Sequence, residues 1–392
     1  MATTSLPPLA HAILEAPHSG IREIANVAVT MPGAIRLEAG QPNFRTPEHI
    51  AAAGKQAIDD GFTQYTPTAG IMSLREAIAR KLERVNGIRV PATQIACGPG
   101  GVGVIAAALA TLVEDGDEVL TPDPGWPNTS TMVSWVRGRE VRYPCPPELD
   151  FQPDLEALER LITTRTKVLL VNSPNNPTGA VYPVETLARI AELARRHNVW
   201  LISDECYDQI VLDGRAVAPS MANHLDDGRV ISVFTFSKSY AMTGWRLGYA
   251  VASQPVIDGI TKFLESSSSC VSAITQKAGE AALDGPQDCV AEMVTAYRRR
   301  RDLSVDLLRE AGLLVSEPAG AFYLMADVSA TGLDAREFAF RLLREREVGV
   351  APGTAFGQVA AHAVRISLAS SDEDLREGIG RLCEFVHELS GR

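Results

Sequence analysis

Apolar positions past residue 115 fall into two alternating textures. Short apolar runs of strand length, "DEVLTPDP", "EVRYP", "TKVLLVNSP", "VWLISDECY" and "VISVFTFSKSY", are separated by stretches with helical spacing, "TSTMVSWVRG", "PDLEALERLI" and "VETLARIAELARRHN". Strand-length runs divided by amphipathic helices predict an α/β fold with a mostly parallel sheet covered on both faces. Upstream, "PEHIAAAGKQAIDDG" and "SLREAIARKLERVNG" are helical patterns that each stop at a glycine. The first forty residues show weak periodicity and read as an arm plus the edge of a domain. From about residue 291 the texture changes: "EMVTAYRRRRDLSVDLLREAG" is a long charged helix whose arginine run reads as a solvated face. The strand patterns "GAFYLMADV" and "AVRISLA", with two helices between them, then predict a smaller α+β domain.

Composition narrows the function classes. The chain of 392 residues has room for two domains, is 45% hydrophobic and 22% charged, and carries a formal net charge of −11. With no basic block, nucleic acid is not expected as a partner. The longest apolar run, "ACGPGGVGVIAAALATLV", is too short and glycine-broken to span a bilayer, so no membrane association is expected. The N-terminus lacks the basic start and apolar core of a signal peptide. Six cysteines without a C-x-x-C favour reduced, mostly buried thiols in a cytoplasm over disulfides or a metal site.

Within that apolar run, Gly98, Gly100 and Gly103 fit G-x-G-x-x-G. Backbone N–H groups at a helix start suit any phosphate, and a tight packed turn has the same sequence, so this loop does not choose its anion. Four strand ends supply further chemistry: Asn172 to Gly179, Asp204 to Tyr207, Ser237 to Ser239, and Asp123 to Asn128. Singly, each has an ordinary account as a turn former, a cap or a solvated charge. Jointly they fit one chemistry. Lys238 is a candidate for a Schiff base with an aldehyde, and Asp204 a partner for a protonated pyridine nitrogen. Asn176 and Tyr207 can donate to a phenolic oxygen, and Trp126 can stack on a ring. Gly100, Gly101 and the helix start can hold a phosphate with Arg246. A dinucleotide enzyme needs none of Lys238, Asn176 or Tyr207. Three rivals stay open on the residues alone: a pyridoxal-phosphate lyase or synthase, a nicotinamide-dependent dehydrogenase using the glycine loop, and a non-catalytic cofactor-binding regulator.

The segments "LEAGQPNF", "QYTPTAGIMSLREAI", "CGPGGVGV", "PGWPN", "NSPNNPTG", "SDECYDQI", "TFSKSYAMTGWRLGY", "APGTAFG" and "VRISLA" occur in an order that resembles the class I and II aminotransferases. These are the aspartate-aminotransferase-like, fold-type I pyridoxal-phosphate enzymes. The resemblance implies a large domain with a mostly parallel seven-stranded sheet and a smaller α+β domain. It divides the chain into an arm and part of the small domain (1–45), a cofactor-holding domain (46–290) and a small C-terminal domain (291–392). It also implies pyridoxal 5′-phosphate, an amino acid and a 2-oxo acid as substrates, and a homodimer with shared sites.

By the same resemblance Lys238 corresponds to the Schiff-base lysine, Asp204 to the partner of the ring nitrogen, and Tyr207 and Asn176 to the donors to the phenolic oxygen. Gly100, Gly101, Val102, Thr235, Ser237 and Arg246 correspond to the phosphate site. Tyr65 resembles a tyrosine that reaches the neighbouring subunit's phosphate. Arg365 resembles the arginine that grips the substrate α-carboxylate, and Gly40 a glycine whose backbone closes over it. Apart from the resemblance, Phe356, in the glycine-flanked turn "PGTAFG", is expected to pack over the bound substrate as the small domain closes. Two departures bear on substrate. "KFLESSSSCVSAITQ" has no arginine for a second carboxylate, its position falling near Glu265, and Val102 stands where some acidic-substrate members carry lysine. Aspartate is therefore expected to be a poor substrate beside neutral or aromatic amino acids. Arg22 and Arg45 are the reserve cations.

Overall fold

The computed structural model describes residues 11–14 and 19–391; the start of the expected arm lies outside them. Its strands are β1 (Ile35–Arg36), β2 (Ile95–Gly98), β3 (Glu118–Asp123), β4 (Arg139–Pro144), β5 (Thr166–Asn172), β6 (Trp200–Asp204), β7 (Val230–Thr235), β8 (Gly248–Val251), β9 (Tyr323–Asp327), β10 (Val348–Gly349), β11 (Ala351–Pro352) and β12 (Ala363–Ser367). Seven of them form one sheet in the order β2-β8-β7-β6-β5-β3-β4. All its pairs are parallel except those made by β8, which runs antiparallel to β2 and β7. The mostly parallel seven-stranded sheet expected from the sequence is present.

Alternation along β5 shows how the sheet is buried. Val168 and Leu170 join a core with Val104, Ala108 and Ile105 of the helix Gly100–Leu112. Leu169 and Val171 face the other way, onto Leu187, Ile190 and Ala194 of the helix Val184–His197. The side-chain period of two sends successive residues to opposite faces, and both faces are apolar because both are covered. Each fully buried Leu or Val contributes roughly 1.5–3 kcal/mol.

A second, antiparallel sheet has the order β11-β12-β9. β1 pairs in parallel with β10, through Ile35 and Val348. The N-terminal segment is thereby fixed to the C-terminal part of the chain. Among the described residues, no helix is long and apolar enough to cross a membrane.

Four local expectations need correction. "VISVFTFSKSY" does not stay extended to Tyr240: β7 ends at Thr235, and the Ser237 N–H donates to Thr235 Oγ1 at 3.3 Å. This local side-chain bond offers the backbone a turn in place of the ladder. Within the first forty residues, Ser19 caps a helix, Gly20–Ala28, whose apolar positions Ile21, Ile24, Val27 and Ala28 do recur at helical spacing, a pattern kept short by the prolines on either side. The arginine run is not wholly solvated. Arg300 shares the stripe of Met293, Tyr297, Ser304 and Leu308 and is buried, donating to Asn43 Oδ1 and Leu368 O. Of the six cysteines, all free, Cys97 and Cys145 are buried and the other four are only partly covered.

One buried ion pair anchors the loop that follows β6. Lys81, at the end of the helix Met72–Lys81, bonds to Asp208 with 3% and 6% of the side chains exposed. Asn86 completes the cluster by donating to Asp208 at 3.1 Å. Removing one partner of such a pair strands a buried charge. Asp208→Ala should therefore lower stability by about 3–5 kcal/mol, whereas Lys81→Met with Asp208→Leu should recover most of it. Chemical denaturation of both variants checks this; a loss under 1 kcal/mol in Asp208→Ala would show that the pair anchors nothing.

Candidate active site

In the large sheet, β3, β5, β6 and β7 end on one edge, at Asp123, Asn172, Asp204 and Thr235. Parallel strands expose their carboxyl ends together, and side chains just beyond them converge. β2 ends there too, at Gly98, leading into the helix Gly100–Leu112. β8 is reversed, so it starts where its neighbours finish, and Arg246 just before it reaches the same edge.

The glycine loop is tightly built. Gly100 has φ +76°, and a Cβ there would lie 2.4 Å from Arg246 Nη2. A Cβ on Gly101 would lie 2.8 Å from Cys206 Sγ. Gly248 opens β8 directly behind the loop, where a Cβ would stand 2.6 Å from the Gly101 nitrogen. Side chains are excluded at all three positions, so the unpaired N–H groups of the helix start stay open at its positive end. Arg246 donates to Thr243 O at 2.8 Å and to Pro99 O at 3.3 Å. Thr235 Oγ1 lies 3.0 Å from Ser237 Oγ and 3.1 Å from Leu247 O. Cationic, hydroxyl and amide donors thus surround one small volume.

Next to it, Lys238 Nζ donates to Gly40 O at 2.7 Å and stands 5.7 Å from the ring centres of Tyr207 and Phe322. Asp204 is buried, and its Oδ1 accepts the Cys206 N–H at 3.1 Å. Burial pushes its carboxyl above the usual range, against a lowering pull from Cys206 and from the Lys238 charge. Tyr207 OH lies 3.1 Å from Tyr323 OH, and burial pushes the Tyr207 hydroxyl well up. At the far wall Arg365 is 1% exposed. It donates to Asn176 Oδ1 at 2.9 Å and to Glu38 O at 2.6 Å, while its buried Nε has no partner. Burial pulls its pKa below the usual arginine value. A guanidinium sealed among neutral acceptors is an incomplete ion pair.

These groups share a cavity of ≈960 Å³. Of the residues expected from the sequence, Gly40, Gly101, Val102, Trp126, Asn176, Asp204, Tyr207, Thr235, Ser237, Lys238, Arg246 and Arg365 line it. Gly100 sits against Arg246 at its edge. Tyr65 does not line it and is 88% exposed. Phe356 differs from expectation: it is fully buried with its ring 5.0 Å from the Arg365 guanidinium, so it supports that side chain and does not face the cavity. Glu265 is exposed on the helix Gln254–Ser267, and Arg45 is likewise away from the cavity, whereas Arg22 lines it.

The sequence did not single out Tyr323, Cys206, Asn128, Arg36 or Glu38, which also line the cavity. Cys206 is adjacent to Asp204 and was within reach of inspection. Tyr323 carried only a strand signal, since its meeting with Tyr207 spans 116 positions. Glu38 is fully buried and takes a paired contact from Arg36, at 2.8 Å from Nε and 2.7 Å from Nη2.

Comparison with known proteins identifies the family. The model of the family "aminotransferase class I and II" matches residues 32–382. The aromatic-amino-acid aminotransferase 2 of Thermococcus litoralis is 39% identical over 94% of this chain and 96% of its own. The aspartate/prephenate aminotransferase of Thermus thermophilus is 41% identical over 90% of this chain and 91% of its own. The solved structure of aspartate aminotransferase from Thermus thermophilus with maleate superposes with a TM-score of 0.91 at 37% identity, covering 97% of this chain and all of the other. From the shared edge of strand ends, the cavity and these likenesses together it follows that the chain belongs to the class I and II aminotransferases and is a transaminase.

Proposed function

We propose that the cavity holds pyridoxal 5′-phosphate and moves an amino group between an α-amino acid and a 2-oxo acid. One observation carries this reading: among the described residues, a buried arginine without a carboxylate and a buried aspartate without a hydrogen-bonded cation line the same cavity as Lys238. The cofactor fits the aspartate and the anion cradle, and the substrate carboxylate fits Arg365. Its pyridinium N–H would complete Asp204, and its phosphate would meet Arg246, Thr235, Ser237 and the amides of Gly100, Gly101 and Val102. Asn176 and Tyr207 would donate to its phenolic oxygen, Trp126 would cover its face, and Lys238 would hold it covalently. When bound, this group supplies an electron sink that weakens the bonds at the substrate Cα.

The chain's own residues do the rest. Arg365, braced by Asn176, Glu38 O and the rings of Tyr323 and Phe356, offers a planar fork for the substrate α-carboxylate. Once the substrate amine has replaced it, Lys238 Nζ is a free amine again, takes the proton from the substrate Cα and returns it at the carbon across the C–N bond, a transfer worth typically about 10²–10⁴-fold. The Gly40 carbonyl holds that amine in place beforehand. Residues 46–290 would form the cofactor-holding domain, with 1–45 and 291–392 contributing the smaller one.

The cofactor test is spectroscopic. Wild-type protein saturated with pyridoxal phosphate should show a visible band that an amino acid alone bleaches and a 2-oxo acid restores. In Lys238→Ala the band should be lost and turnover should fall at least ~10²-fold. Bleaching with release of ammonia, and no restoration, would replace transamination by a lyase.

We further infer a homodimer in which Tyr65 completes the partner's phosphate site. Its exposure accompanies that of Ile58, Phe62 and Met72 on the same stretch, an apolar surface that a second copy would cover. A mixed dimer of Tyr65→Phe and Lys238→Ala chains should retain about half the wild-type activity, because one site keeps both an intact lysine and an intact tyrosine. Activity no better than half that of the Tyr65→Phe homodimer would place Tyr65 on its own chain's site.

Substrate choice follows from Arg365 and the cavity wall. Arg365→Lys keeps the charge and loses the fork, so KM for amino and oxo acids should rise roughly 10–100-fold while the visible band persists. In a half-reaction screen that follows bleaching of the visible band, aspartate should be slower than phenylalanine, since neither Val102 nor Glu265 supplies a cation. Aspartate reacting fastest, and losing that lead in Arg22→Gln, would assign the second carboxylate to Arg22.

A further inference from the structure

Tyr323, the first residue of β9, touches three separate parts of the site. Its hydroxyl lies 3.1 Å from Tyr207 OH. Its ring centre is 4.2 Å from the Arg365 guanidinium carbon. A Cβ on Gly40 would stand 3.2 Å from its hydroxyl, so the Gly40 backbone packs against it while Gly40 O receives the Lys238 Nζ bond. The side chain is 1% exposed, held edge-on to Tyr207 at 5.8 Å between ring centres and pinned by the pairing of Tyr323 with Ser367 across to β12.

One hydrogen serves each contact between two phenols. If Tyr207 donated to Tyr323, its hydrogen would be spent and none would remain for the cofactor's oxygen. The guanidinium over the ring decides the direction. A cation on the face of Tyr323 draws electron density from the ring and strengthens its O–H as a donor. The Arg365 cation at 4.2 Å from the Tyr323 ring, closer than Lys238 at 5.7 Å from the Tyr207 ring, favours Tyr323 as the donor, and Tyr207 then keeps its own hydrogen for the next acceptor, strengthened by the bond it receives. The other charged groups near this pair are Lys238, Asp204 and the Glu38 carboxylate, with the Cys206 thiol beside Tyr207 in sequence.

We propose that Tyr323 is a positioning residue that transmits carboxylate binding at Arg365 to the hydroxyl of Tyr207. An arriving carboxylate neutralises the guanidinium, weakens the Tyr323 O–H as a donor, and so weakens Tyr207 as a donor toward the cofactor. Occupancy of the α-carboxylate end is thereby felt at the ring oxygen through two phenols, with no movement of the backbone required. The proposal rests on the assignment of Lys238 and Tyr207 to the cofactor.

The test follows the pH midpoint of the holoenzyme's visible absorbance, with and without propionate, a carboxylate with no amino group to transfer. Losing a donor to the cofactor's oxygen makes its protonated form harder to discharge, so the midpoint should rise. Tyr323→Phe should raise it by about 0.5 unit, less than Tyr207→Phe, because it removes a supporting bond and not the direct one. In the Tyr207→Phe background, Tyr323→Phe should add no further shift, the non-additivity of groups acting in series. Propionate should raise the wild-type midpoint, and at least half of that rise should vanish in Tyr323→Phe. An unmoved midpoint in Tyr323→Phe, full additivity with Tyr207→Phe, or an undiminished propionate effect would each overturn the proposal. A Tyr207→Phe midpoint equal to wild type would instead overturn the assignment of Tyr207, and the proposal with it. The change removes one oxygen and keeps the ring under Arg365, and an unchanged melting temperature of the apoprotein separates a positioning role from a packing one.

Discussion

Parallel pairing of β3, β5, β6 and β7 is the constraint on which the rest depends. Because those strands run in one direction, their exits lie on one edge, and the register of β5 with β6 sets Asn172 directly beside Asp204. Asn172 then turns the alignment into fixed geometry. Its side-chain nitrogen donates to Asp204 O at 3.1 Å, and its Oδ1 accepts the Asn176 N–H at 2.9 Å. One buried amide holds two strand exits together and sets the turn that aims Asn176 at Arg365. The single reversed strand of this sheet, β8, starts at the same edge and so brings Arg246, just before it, among the exits of its neighbours.

Stability and chemistry pull in opposite directions at this edge. The buried Asp204 is held above its usual pKa by desolvation, and the buried Arg365 below its own. Each would be cheaper to replace by a neutral group if folding were the only requirement. They are tolerated because the surroundings are rigid. Gly248, Gly101 and Gly100 pack the cradle so closely that no side chain fits, and the Lys81–Asp208 pair ties down the segment after Tyr207. The molecule thus holds incompletely paired charge where, on the proposed function, ligand charge would arrive, and close packing around it keeps it in place.

Much of this was legible in the chain. Strand-length apolar runs revealed the sheet because each face is covered by a helix, and the polar residues just past them marked the edge because nothing in a buried strand otherwise calls for Asp204, Asn176 or Lys238. What escaped shares a physical cause. Tyr323 meets Tyr207 across 116 positions and the Glu38 carbonyl meets Arg365 across 327, and their own segments show only burial. Phe356 was assigned to the wrong side of Arg365, since a glycine-flanked turn does not disclose which way its aromatic ring points. Arg300 looked like surface because a run of four arginines hides the one that falls on the apolar stripe of its helix.

The pairing of β1 with β10 has a consequence for how the protein is made. Gly40 and Glu38 lie just after β1, and the strand that holds β1 in place spans Val348 and Gly349, with Arg365 further on in β12. A ribosome delivers the chain from its N-terminus, so the large sheet can be completed, and Lys238 emerge, while the wall that faces it is still unsynthesised. During that interval the lysine lies in an open half-site that has an anion cradle but no Arg365 and no anchored Gly40. On the proposed role of Arg365, selection of an amino acid awaits the emergence of β12, and a nascent chain stalled before β10 would present the Lys238 amine to solvent beside an incomplete wall.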